Sequence, residues 1–142
     1  GGARAFMSLF YGLLDPATGE LEYVGAGHPF PLLRRASGEI EELGRGGLPL
    51  GVRAVLALAT ESVRIGPGDL LVLYSDGLPE GLGSDGEAFG FERLRSLARE
   101  ARERSGAAEL HRRILAAFDG RRRAEESLAD DLTLVVLERH AP

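Results

Sequence analysis

The chain has 142 residues, a formal net charge of −5, and is 44% hydrophobic and 27% charged, the make-up of one globular domain with room for a real core. No apolar run approaches the roughly 20 residues of a membrane span, no basic-then-apolar leader opens the chain, and the acidic balance argues against a nucleic-acid partner; a cytoplasmic segment with no membrane contact is expected. There is no Cys and no Lys, all 17 basic residues being Arg, which excludes disulfides, thiolate nucleophiles, Cys-ligated zinc, Schiff-base lysines and a P-loop lysine.

The first run, residues 5–14, is almost continuously apolar through Phe6-Met7-Ser8-Leu9-Phe10-Tyr11, the pattern of a strand buried on both faces. Asp15-Pro16-Ala17-Thr18-Gly19 is a turn signal, and residues 20–26 alternate as a half-buried strand does, so residues 5–26 predict a β-hairpin. Gly25-Ala26-Gly27-His28-Pro29 breaks the pattern. Residues 30–35 predict a short strand, Ala36-Ser37-Gly38-Glu39 a turn, and residues 40–43 a strand pairing back. Residues 44–51 form a glycine-rich loop that lacks the Lys and the following helix of a phosphate loop. Residues 52–65 should hold a further strand, and residues 70–75 a core strand. Phe91, Leu94, Leu97, Ala98 and Ala101 then recur at helical spacing. Leu110, Ile114, Ala117 and Phe118 mark a second helix, with Ser105 in the N-cap position. Residues 121–126 read as a charged loop and residues 132–137 as a final buried strand. Mostly antiparallel strands, two helices and one last strand predict an α+β fold in a single domain over residues 1–142.

Chemistry is concentrated in a few acids and one His. Asp76 ends the core strand and precedes Gly77, so its carboxylate would be held rigidly at a strand mouth; Asp-Gly is equally an ordinary turn. Asp130-Asp131 precedes the final strand. If the two strands are antiparallel neighbours, Asp76 and Asp130 fall on one sheet edge, the clustered oxygens that Mg²⁺ or Mn²⁺ requires; otherwise the pair is an acidic loop. Glu80 shares a face with Asp76 if the chain turns helical there, and is otherwise a solvated acid. His28, on a loop between Gly27 and Pro29, reads as a ligand, an acid or a surface residue.

Five motifs in order carry a resemblance: residues 6–14 with Asp15-Pro16 and Gly19; Gly25-Ala26-Gly27-His28-Pro29; Gly47-Leu48-Pro49-Leu50-Gly51; Gly68-Asp69 through Ser75-Asp76-Gly77; and Asp130-Asp131-Leu132-Thr133 through Leu137. Over essentially its whole length the chain resembles the C-terminal portion of the stage II sporulation protein E family of bacterial PPM-type serine/threonine phosphatases. The resemblance implies a sandwich of antiparallel β-sheets flanked by α-helices. It implies hydrolysis of phosphoserine or phosphothreonine by metal-activated water, with two Mn²⁺ or Mg²⁺ ions in a complete site. Carried over by position, Asp76 and Asp130 would be the catalytic metal ligands, and Glu80 would lie near an additional metal. His28, Gly77 and Asp131 would stand beside them, with residues 47–51 as a nearby loop. The implied partner is a phosphorylated regulatory protein of the anti-sigma-factor antagonist type, in cytoplasmic signal transduction.

Two departures qualify what the resemblance implies. Pro79 and Gly81 flank Glu80 where the family more often has Thr and Ala. The family's Gly-Asp-x-x-Asp segment, whose Asp bridges both metals, is not found; the one Gly-Asp, Gly68-Asp69, belongs to a later turn. The N-terminal part of the domain is therefore expected to be missing. The chain alone is then expected to be weakly active or inactive, with an uncovered strand edge that favours a homodimer. The other reading is a catalytically inactive binding module in a partner-switching pathway.

Overall fold

The computed structural model describes residues 5–101, 106–122 and 130–141. Among these the elements run β1 (Leu9–Leu14), β2 (Glu20–Ala26), β3 (Leu32–Arg34), β4 (Ile40–Glu42), β5 (Glu61–Arg64), β6 (Leu70–Tyr74), α1 (Gly77–Glu80), α2 (Phe91–Glu100), α3 (Ala107–Asp119) and β7 (Leu134–Glu138). They form two antiparallel sheets, ordered β1-β2-β5 and β4-β3-β6-β7. The expected hairpin forms, with Leu9 opposite Ala26 and Leu14 opposite Leu21. Its turn is held by Asp15, whose carboxylate accepts the Ala17 N–H at 2.9 Å, and by Gly19 at φ 78°, a conformation that only glycine adopts at no steric cost. No helix among the described residues is long and apolar enough to cross a membrane.

Strand β6 explains the layering. Its side chains alternate between faces, as any strand's must. Leu70, Val72 and Tyr74 enter a cluster with Leu94 and Ala98 of α2 and Leu110, Ile114 and Phe118 of α3. Leu71 enters a second cluster between the sheets, with Leu21 and Tyr23 of β2 and Leu33 of β3. The order of layers is sheet, sheet, helices. The helices follow from period: Leu94 and Ala98 lie one turn apart on α2, and Leu110, Ile114 and Phe118 do so twice on α3, all buried. Each buried Leu or Ile contributes about 1.5–3 kcal/mol relative to an exposed one.

Three expectations are corrected. The first strand is not buried on both faces: β1 is an edge strand paired only to β2, and Tyr11 and Leu13 are 55% and 57% exposed. The last strand is likewise an edge strand, with Val135 and Leu137 exposed while Leu134 and Val136 pack on the helices. A continuous apolar run has the same appearance in a central strand and in an edge strand with apolar residues on its open face, so periodicity does not separate the two. The strand expected within residues 52–65 is present as Glu61–Arg64. Gly106 holds the N-cap position of α3, and Glu138 of β7 accepts the first amide of that helix, Ala107 N–H, at 3.0 Å. Ser105, and residues 123–126 of the charged loop, lie outside the described residues.

The turn before β6 is fixed by a buried acid. Asp69 accepts the N–H groups of Ala36 and Gly66, both at 2.8 Å, and the Arg35 guanidinium at 2.9 Å. Arg35 also holds Glu41 at 2.6 Å, and together the two carboxylates raise its pKa. Asp69→Ala leaves two amides and a guanidinium without their acceptor. It is expected to lower unfolding stability by about 3 kcal/mol, measured by urea denaturation.

Candidate functional site at the end of β6 and β7

The antiparallel pairing of β6 with β7 runs from Leu70 opposite Glu138 to Tyr74 opposite Leu134. One residue beyond the ladder, Ser75 continues it. Its N–H donates to the Thr133 carbonyl at 3.0 Å. Its hydroxyl accepts the Thr133 N–H at 2.8 Å and donates to the Asp131 carbonyl at 3.1 Å. Ser75 thus fastens the segment carrying Asp130 and Asp131 to the segment carrying Asp76. The sequence marked Ser75 only as part of the Ser75-Asp76-Gly77 motif and gave no sign of its tie to residues 131–133.

Gly77 has a steric reason. A Cβ built on it would lie 2.3 Å from the Asp131 carbonyl oxygen and 3.0 Å from that carbonyl carbon. No side chain fits between the two segments, so Asp76-Gly77 is more than a turn: its glycine admits the backbone of the Asp130–Asp131 segment. Asp76 is exposed and stands at the N-cap of α1, yet its side chain makes no capping hydrogen bond. Its carboxylate is not consumed by the helix. Asp130 is exposed as well, and one of its oxygens accepts the Asp131 N–H at 2.7 Å.

The chain does turn helical after Asp76. Glu80 N–H donates to the Asp76 carbonyl at 3.0 Å, which sets exposed Glu80 one turn beyond Asp76. The short helix is anchored by Leu78 and Pro79, both fully buried. Gly81 ends it because a Cβ there would meet the Phe118 ring at 2.4 Å. The unusual neighbours of Glu80 therefore have packing causes.

His28 lies at the same end of the sandwich, since β3 runs antiparallel to β6 with Leu32 opposite Val72. Its Nδ1 is 2.8 Å from the Pro29 carbonyl oxygen, which can only accept, so Nδ1 carries the proton. The ring borders a cup of about 320 Å³ walled by Phe10, Phe30, Leu43, Leu58 and Glu61, which Asp76 and Asp130 do not line. Tyr74 connects the two places: its hydroxyl donates to the Phe30 carbonyl at 2.8 Å, and burial, with Glu42 adding to it, pushes its pKa up to about 12. The glycine-rich loop packs here too. A Cβ on Gly27 (φ 66°) would lie 2.4 Å from the Pro49 ring, so the His28 loop and residues 47–51 are in contact.

The donor set is oxygen only, the kind that a hard cation prefers, and Mg²⁺ is commonly held by one or two carboxylates while keeping several waters. Asp76 and Asp130 fit that part. No group of three or more His, Cys, Asp or Glu that could hold a metal occurs among the described residues, so they do not furnish a full two-metal centre.

The sequence profile of the family described as Stage II sporulation protein E (SpoIIE) matches residues 2–140. A curated protein of Synechocystis, IcfG, is 31% identical over 94 residues, which cover 66% of this chain and 15% of that protein. Among solved structures, one comprising the RsbU and RsbW domains of a Mycobacterium tuberculosis protein superposes with a TM-score of 0.68 at 31% identity, over 95% of this chain and 36% of that one. The phosphatase domain of Bacillus subtilis SpoIIE gives 0.71 at 18% identity, covering 95% and 57%. The SiaA-PP2C domain of Pseudomonas aeruginosa gives 0.76 at 20% identity, covering 92% and 51%. The chain thus spans about a seventh of the curated relative and between a third and three fifths of these solved chains. The sandwich of antiparallel sheets with helices is the fold of PP2C-type phosphatase domains.

Gly77→Ala tests the steric argument. The added methyl must push the Asp131 backbone away, and the expected loss of about 1–3 kcal/mol, read by thermal unfolding, should be matched by shifted amide resonances at residues 130–133.

Proposed function

The chain belongs to the stage II sporulation protein E family, and from that premise we propose that it forms part of a metal-dependent protein serine/threonine phosphatase, with Asp76 and Asp130 as metal-holding carboxylates. The observation that carries this reading is the β6–β7 pairing, with Ser75 and Gly77 locking the two acid-bearing segments together. Mn²⁺ or Mg²⁺ bound there would supply an acidified water and neutralise charge on the phosphoryl oxygens. The work of the chain is placement. Asp76 and Asp130 offer oxygens from the two segments that adjoin β6 and β7, and Ser75 ties those segments together. Glu80 stands one helical turn away as a further acid, and Asp131 contributes its carbonyl to the lock.

The substrate we assign is a phosphoserine or phosphothreonine on a regulatory protein of the anti-sigma-factor antagonist type, acting in signal transduction. A second reading, a phosphatase-like module that binds such a partner without hydrolysis, is favoured by one observation: the described residues bring two acids together and no group of three. The uncovered β1 edge, with Tyr11 and Leu13 exposed on it, supports self-association.

Calorimetric titration with Mn²⁺ and release of phosphate from a phosphoserine peptide separate the readings. Asp76→Asn is expected to weaken Mn²⁺ binding at least about tenfold and to abolish whatever Mn²⁺-dependent release the chain supports. Mn²⁺ binding unchanged in the variant, with no release from either protein, favours the module. By sedimentation velocity the chain should self-associate, and replacing Tyr11 and Leu13 by Lys should shift it to monomer.

A further inference from the structure

The cup beside His28 has no assigned occupant. We propose that it seats an apolar side chain of the phosphorylated protein, one two residues from the phosphorylated residue, and thereby sets which substrate is accepted; this rests on the phosphatase reading above.

Position comes first. The cup opens where β2 ends and β3 begins, at the end of the sandwich to which β6 delivers Asp76. Its wall residue Phe30 is hydrogen-bonded through its carbonyl to Tyr74, two residues before Asp76. Two residues of extended chain span roughly 7 Å and bring side chains back to the same face, so a peptide whose phosphorylated side chain lies at Asp76 and Asp130 carries the side chain two residues away over that distance. Size agrees: about 320 Å³ lies at the bottom of the range of roughly 300–1,000 Å³ for small-molecule pockets, room for a large side chain rather than a cofactor.

The lining favours an apolar group. Its walls are Phe10, Phe30 and Leu43, with exposed Leu58 on the rim. Arg45, in the lining but largely exposed, has Glu61 at 3.3 Å, and Glu61 itself would repel an anion. His28 Nδ1 is turned to the Pro29 carbonyl, which leaves Nε2 as the ring nitrogen free to meet a peptide.

The cup is also preformed. Phe10 is stacked on buried Tyr23 with ring centroids 5.4 Å apart. Gly44, at φ 138°, lies so close to Phe30 that a Cβ would meet its ring at 2.7 Å, and a Cβ on Gly47 would be 2.9 Å from the Gly25 carbonyl oxygen. Walls already in place add little ordering cost when a side chain enters.

The test is binding, by fluorescence anisotropy with Mn²⁺ present, of labelled phosphoserine peptides that carry Leu or Gly two residues to either side of the phosphoserine. The full chain is expected to bind the Leu-flanked peptide roughly tenfold more tightly than the Gly-flanked one. That preference should vanish in Leu58→Asp and in Ala57→Trp, which change the rim of the cup and leave its buried walls intact, with circular dichroism confirming the fold. Asp76→Asn should weaken both peptides equally and leave the preference in place. Equal affinity for the two peptides, or a preference that survives both rim variants, overturns the proposal. If instead the Leu preference holds but phosphorylated and unphosphorylated peptides bind alike, the cup stands as a peptide-binding site and the phosphatase reading falls.

Discussion

The antiparallel pairing of β6 with β7 is the constraint on which everything else depends. It joins two stretches of chain that carry acids at opposite ends of their strands, and antiparallel direction turns those opposite ends into one edge. A parallel pairing of the same strands would have separated Asp76 and Asp130 by the length of the ladder. Ser75 extends the ladder past the last regular pair, and its hydroxyl serves both as acceptor and as donor. The acids are therefore placed by backbone geometry, which is far less adjustable than side-chain packing.

The same strand holds the layers together. Leu71 belongs to the inter-sheet cluster and Leu70, Val72 and Tyr74 to the helix cluster, so β6 is the common wall of both cores. Tyr74 adds a polar tie at the functional end, and Asp69 adds one at the opposite end, where it gathers the turn before β6 and the turn after β3. A strand anchored at both ends and on both faces gives little freedom to the residue that follows it, which is Asp76.

Much of this was legible in the sequence because local signals and long-range packing agreed. The hairpin announced itself through Asp15-Pro16 and Gly19, and β6 through an apolar run bounded by Gly68-Asp69 and Asp76-Gly77. Spacing alone marked the buried faces of helices α2 and α3, apart from Phe91, which is 50% exposed. The placement of Asp76 and Asp130 was legible only as a condition, since it hinged on whether two distant strands paired. What stayed hidden was of two kinds. The exposure of Tyr11, Leu13, Val135 and Leu137 depends on which neighbours a strand has, and hydrophobicity does not record neighbours. The roles of Ser75 and Glu138 depend on contacts 58 and 31 residues away in sequence, and neither residue type carries any mark of such a contact. Gly77 lies between these cases: its presence after Asp76 was noticed, but the carbonyl that demands it belongs to the far side of the pairing.

The Ser75–Thr133 contact closes a loop across 58 positions of sequence. Closing so long a loop carries an entropic cost that only later contacts repay, and pairings of this kind slow folding. The acid edge exists only where β7 lies on β6, whose other side is held by β3. Helix α3 is tied to the same strand, because its first amide is received by Glu138 of β7. One strand at the end of the sequence therefore completes both the acid edge and the start of a helix.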